Sequence, residues 1–250
     1  MKLSTIIPRR GINDEGKGKK HALKMLISSV STDYIWLQDD DIIPPSQAPD
    51  EHTISSYDLI ILPLRMVGGN TILERLQIAE YAAIQQLTVS TALRGKPVMC
   101  SGANLIVNRQ RWLESWPDIH PEIPSGDDMF LLESFKRRGL RITALDDEQF
   151  TATVQAEKTW SAFWHQRMRW AGKAPHYTDP DIRRYGTLIL IANILQLICP
   201  PVILLKFPFE YRLIKKRDAS VSFAIALLLE ILYPFYILIS LLGGLFRKKW

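Results

Sequence analysis

The twenty residues from Gly186 to Leu205 carry no formal charge, and the stretch from Val221 to Phe246 carries only Glu230. Each reaches the length at which a helix can cross the hydrocarbon of a bilayer. Charged residues crowd the chain before position 186, so the 47% hydrophobic average conceals two environments, one facing water and one facing lipid. The 250 residues leave room for one ordinary domain and a small anchor.

Charge narrows the partners. The formal net charge is +5, but Lys and Arg are scattered, with local clusters such as Lys215, Lys216 and Arg217 beside the apolar segments. That pattern points to membrane lipid and not to nucleic acid. Cys100 and Cys199 are the only cysteines and lie far apart, which excludes a disulfide framework and a thiolate metal site and fits a reducing compartment. Lys2 is followed by an apolar stretch that stops at Pro8, Arg9 and Arg10, too short for the core of a secretory signal. The expectation is a multi-pass protein of the cytoplasmic (inner) membrane with its polar domain in the cytoplasm.

Topology has two solutions. If both apolar segments span, the loop holding Lys206, Arg212, Lys215, Lys216 and Arg217 lies outside, against the positive-inside tendency. If Pro200 and Pro201 turn the first segment back as a re-entrant hairpin, the loop stays with the polar domain.

The polar part alternates strand and helix patterns. Leu3 to Ile7, Tyr34 to Leu37, Leu59 to Leu64 and Val98 to Val107 read as strands, the third as a buried parallel one. Lys17 to Val30, a helix capped by Thr71 and running to about Leu93, and Asp127 to Arg138 stopped by Gly139 read as helices. Such alternation predicts an α/β domain around a mainly parallel sheet. Lys158 to Lys173 reads as an interfacial helix with Trp160, Phe163, Trp164, Arg167 and Trp170 near one face. The expected division is a catalytic domain over 1–157, an interfacial helix and linker over 158–185, and an anchor over 186–250 with apolar segments 186–205 and 221–246.

Three groups of residues could carry chemistry. Asp39, Asp40 and Asp41 follow a strand, and alternation puts Asp39 and Asp41 on one side, where Mg²⁺ or Mn²⁺ could join them to a diphosphate. A solvated acidic turn before Pro44 explains the same triplet. Asp127 and Asp128 open a helix, which the helix dipole alone would favour, yet Asp128 could serve as a general base. Gln166 to Trp170 combines an amide, two guanidinium groups and an indole, suited to a diphosphate and a sugar or simply to a membrane interface.

In this order the residues resemble the membrane-bound bacterial family 2 glycosyltransferases of GT-A fold. Gly16 to Leu23 (GKGKKHAL) is similar to the family's Gly-Lys-x-x-Ala-Leu segment, and Asp39-Asp40-Asp41 to its DxD motif. Cys100 to Asn104 resembles the acceptor-side Gly-x-Asn stretch, Gly126-Asp127-Asp128 the base motif, and Gln166 to Trp170 the QxxRW motif. The resemblance implies a metal held by Asp39 and Asp41, catalysis by Asp128 with Asp127, and substrate or diphosphate contacts from Lys17, Gly102, Asn104, Gln166, Arg169 and Trp170. It further implies a nucleotide-sugar donor, UDP-linked, and inverting transfer to a lipid-linked or polysaccharide acceptor. Only Met1 to Glu15 precede the Gly-Lys segment, so the Rossmann-like nucleoside-binding half is expected to be shortened. A catalytically inactive relative and a metal-dependent membrane phosphotransferase are the competing expectations.

Overall fold

The computed structural model describes residues 1–9, 18–123 and 125–246. They form two compact units, Met1–Leu64 with Thr88–Val154, and Arg65–Leu87 with Gln155–Trp250. The helix start expected at Lys17 lies outside the described residues.

The first unit is built on β1 (Leu3–Ile6), α1 (Lys19–Ser29), β2 (Tyr34–Gln38), α2 (Glu51–Ser55) and β3 (Leu59–Ile61). The next strand, β4 (Leu64–Val67), leads to α3 (Ile72–Leu93), β5 (Asn104–Asn108), α4 (Arg109–Glu114), α5 (Asp127–Arg137), β6 (Ile142–Ala144) and β7 (Ala152–Gln155). Five strands make one sheet in the order β1-β2-β5-β3-β6, while β4 and β7 pair separately. Within the larger sheet β1 and β2, and β3 and β6, are parallel, and β5 is antiparallel to both of its neighbours. Four of the five strands therefore run one way, as an α/β domain requires.

Apolar runs explain the centre of this sheet. All five residues of β2 are buried, which suits a strand covered on both faces. The register aligns Trp36 and Ile60 with Ile106, and the three join Tyr34, Ile54 and Leu62 in one core cluster. Burying side chains of this kind stabilises the fold by about 1.5–3 kcal/mol each.

Two expected strands are shorter than their apolar runs. Leu59 to Leu64 is split by Pro63, which cannot donate a ladder hydrogen bond, so β3 stays in the main sheet and β4 departs to meet β7. Of Val98 to Val107, only the part from Asn104 pairs, because Gly102 and Ala103 turn the chain. The start of α3 follows its sequence signal. Thr71 Oγ1 accepts from Glu74 N at 3.2 Å, and Glu74 accepts in return from Thr71 N at 3.2 Å, a reciprocal capping box. Those bonds, led by one from the Thr71 hydroxyl, hold the Glu74 carboxyl below the usual range.

The second unit contains α6 (Trp160–Ala171), α7 (Pro180–Ile198), α8 (Ile203–Arg217) and α9 (Phe223–Phe246). Gly186 to Leu205 is not one helix, which corrects the expectation of two spans. Pro200 and Pro201 lack N–H donors, and the chain leaves α7 at Ile198 and passes through a 3-10 turn, Pro200–Val202, before α8. Among the described residues one helix is long and apolar enough to cross a membrane, over Phe223–Gly244 of α9. A multi-pass architecture is therefore not supported.

Polar side chains tie these helices together. Lys206 Nζ of α8 donates to Asn193 Oδ1 and Gln196 Oε1 of α7 at 3.0 and 3.1 Å, and to Glu230 Oε1 of α9 at 2.7 Å.

Candidate active site

Gly18, at φ 88°, sits in the left-handed region that glycine tolerates and turns the chain into α1, so that Lys19 is its first residue. Asp39 follows the last residue of β2, at the carboxyl end of the strand, where open α/β sheets place their ligands. Pairing of Gln38 with Asn104 brings the Gly102 turn to the same end. Gly126, at φ 86°, then starts α5 with Asp127 and Asp128 in its first turn.

These elements converge on one charged cluster. Lys19 Nζ donates to Asp39 Oδ1 at 2.6 Å and stands 3.9 Å from Asp127 Oδ2. Gly102 N donates to Asp128 Oδ2 at 3.3 Å, and Met129 N to Asp128 Oδ1 at 2.8 Å, which orients the carboxylate from two sides. A Cβ on Gly102 would lie 3.4 Å from Asp127 Oδ2 and 3.8 Å from Lys19 Nζ, so the missing side chain leaves the space beside the acids open.

Burial disfavours the Lys19 charge, but Asp127, Asp39 and Asp128 outweigh it and hold the ammonium well above the ordinary lysine range. A raised folded-state value stabilises the fold fully below the unfolded value, about 10.4, and that contribution is lost only as pH rises through the higher folded one. Lys19→Met is therefore expected to lower the melting temperature by the same amount at about pH 6 and about pH 9. Thermal unfolding at the two pH values checks this, and a difference that shrinks toward pH 9 would contradict the assignment.

Other expected residues lie elsewhere. Asp41 is exposed in a turn, because β2 ends at Gln38 and the alternation that would align Asp39 with Asp41 stops there. Asn104 is 1% exposed and its side chain is committed inward. It accepts from Trp36 Nε1 and donates to Pro63 O and Phe150 O, each at 2.9 Å, so it positions the loops around the site instead of facing a substrate. Asn104→Ala should destabilise the chain by about 1–3 kcal/mol for each buried group left unpaired, read by urea unfolding. Lys17 lies outside the described residues, and among the described residues it is Lys19 that reaches the acids. The spacing Gly18-Lys19-x-x-Ala22-Leu23 was the signal that could have singled it out.

The QxxRW segment belongs to the second unit, on α6. Gln166 Nε2 donates to Glu157 Oε1 at 3.0 Å, and Gln77 fixes the Glu157 backbone by bonds of 2.9 and 3.0 Å. Arg167, 1% exposed, pairs with Glu80 at 2.7 Å and lies 4.2 Å from the Trp170 ring. Burial opposes its charge and Glu80 overrides that, raising the guanidinium above its ordinary value. Arg169 is exposed. Gln166 and Trp170 are thus held by neighbours while Arg169 faces outward, and the buried Arg167 is the partner that sequence reasoning left without a role.

Among the described residues, Lys19 draws the carboxylates of Asp39 and Asp127 together, with Asp128 beside them at the Gly102 turn. Among the described residues no group of three or more His, Cys, Asp or Glu side chains could hold a metal ion alone. Hard carboxylate oxygens do suit Mg²⁺ or Mn²⁺ where phosphate oxygens complete the shell, since Mg²⁺ usually takes only one or two carboxylates from protein.

A sheet with four strands running together, carrying an acid and lysine cluster at its strand ends, defines a GT-A-like α/β domain. The sequence model described as glycosyltransferase like family 2 matches residues 5–173, and the chain belongs to that family. A comparison with curated proteins found no match.

Proposed function

We propose that the protein is an inverting glycosyltransferase that moves a sugar from a UDP-linked donor to a lipid-linked or polysaccharide acceptor at the cytoplasmic face of a membrane. The observation that carries this reading is the meeting of Lys19, Asp39, Asp127, Asp128 and the open Gly102 turn at one sheet end. Asp128, oriented by the N–H groups of Gly102 and Met129, removes the proton from an acceptor hydroxyl. The hydroxyl oxygen bonds to the anomeric carbon as the bond to the diphosphate oxygen breaks on the opposite side, which inverts the centre. The electron pair leaves with the nucleoside diphosphate, whose charge meets the Lys19 ammonium. A divalent ion, which Asp39 would hold together with phosphate oxygens, would supply further charge compensation when bound. The diphosphate and acceptor roles of Gln166, Arg169 and Trp170 rest on the motif.

The test is sugar transfer by membranes containing the chain, across a panel of nucleotide sugars, with and without chelator. Transfer from one donor supports the reading. Its absence across the panel, from folded protein, favours a non-catalytic relative.

A further inference from the structure

Length and composition would let α9 cross a bilayer, yet within the second unit it packs against both α3 and α6. Near its start, Val221 and Ala226 pack with Ala79 and Ala82 of α3. Further along, Tyr233 and Tyr236 share a cavity of about 250 Å³ with Leu73 and Leu76 of the same helix, so α9 meets α3 in antiparallel order. Its later part runs beside α6 in parallel. The Tyr236 and Phe163 ring centroids are 5.7 Å apart. Gly243 and Gly244 approach Met168 and Gly172 so closely that a Cβ on either glycine would come within 2.7 Å of them. A helix standing upright in a bilayer would carry α3 and α6 into the hydrocarbon, with the exposed Arg75, His165 and Arg169.

The outward side of α9 is apolar. Ile231, Phe235, Ile239 and Leu242 recur at helical spacing and are 47, 54, 47 and 54% exposed. The turn from α7 to α8 is more exposed still, with Ile198 at 75%, Leu204 at 73% and Leu205 at 82%. Lys206 and its amide and carboxylate partners point inward among the three helices. Polar groups inside and apolar groups outside invert the plan of a helical unit made for water.

Charge selects the occupant of this face. Arg183 and Arg184 near the start of α7, and Arg212 and Lys216 near the end of α8, are exposed and lie far along the chain from the apolar turn. Anionic headgroups are the complementary partner for these cations beside an apolar face. We infer that α7, α8 and α9 seat in one leaflet of an anionic membrane, with α9 lying along the surface, the α7–α8 turn reaching deepest, and no helix crossing.

The test reads topology and binding, not sugar transfer, so its failure leaves the proposed reaction untouched. In a Cys100→Ser, Cys199→Ser background, one cysteine is placed by Ala219→Cys and another is appended after Trp250. Each protein is produced in a bacterial host and treated with a charged maleimide in spheroplasts and in inverted vesicles. Both cysteines are expected to react from the same face only, and reaction from opposite faces overturns the inference. The purified chain should also bind phosphatidylglycerol vesicles in preference to phosphatidylcholine vesicles. Leu205→Asp, at a position without core contacts to lose, should weaken that binding at least about tenfold with the melting transition retained. Undiminished binding by the variant, or a dimer without vesicle affinity, overturns it equally.

Discussion

Asp128→Asn is expected to reduce sugar transfer about 10²–10⁴-fold, the usual contribution of a positioned general base, while the donor KM changes only a few-fold. The carboxylate receives one N–H from Gly102 and one from Met129, so its direction is set before any acceptor arrives. Asparagine keeps the volume and one accepting oxygen but cannot take a proton. Loss confined to kcat marks the base, whereas a matching loss of donor affinity would mean that the substitution had disturbed the Gly102 turn. Initial-rate kinetics of the wild type and variant, with melting curves for both, make the distinction. Transfer undiminished in Asp128→Asn would remove Asp128 from the chemistry.

The largest effect on stability is expected at Glu80. Its side chain is 5% exposed, that of Arg167 is 1% exposed, and two further guanidinium nitrogens of Arg167, Nε and Nη1, have no hydrogen-bond partner among the described residues. Glu80→Ala therefore leaves a buried cation without its anion, which costs about 3–5 kcal/mol. Replacing both residues by apolar ones of similar volume, Glu80→Leu with Arg167→Met, should recover most of the loss, because neither charge then has to be desolvated. Urea unfolding of the wild type, Glu80→Leu, Arg167→Met and the double variant closes the cycle, with Glu80→Ala measured beside them. A single-variant loss below about 1 kcal/mol would show that water reaches the pair.

The legible parts of the fold are those written in local patterns. β2 is visible as a buried run ending in acids, and α3 as a long helical stretch with Thr71 as its cap. The helical pattern of 158–173 also put Arg167 on the aromatic face and Arg169 off it, as the structure does. The antiparallel placement of β5 could not be read, because strand pairing joins residues distant in sequence and leaves no periodic trace. Short α2 and α4 depend on single caps, Asp50 and Asn108, in segments too short to show a period.

The site divides in the same way. Asp39, Asp127 and Asp128, which the fold brings together, have recognisable neighbours in sequence because they stand at a strand end and a helix start. Lys19 is legible in the Gly18-Lys19-x-x-Ala22-Leu23 spacing, whereas the inward turn of Asn104 depends on which way its side chain faces once the sheet has formed.

The position of β5 governs the order in which the domain can be made. β2 and β3 are both translated before β5, yet neither pairs with the other, and each takes Asn104–Asn108 as its neighbour. Until that segment leaves the ribosome, two strong apolar strands wait with open edges, and the 22 residues of α3 emerge between them and their partner. The nascent chain therefore passes through a long interval of exposed strand edges, the state in which unfinished chains most readily stick to one another.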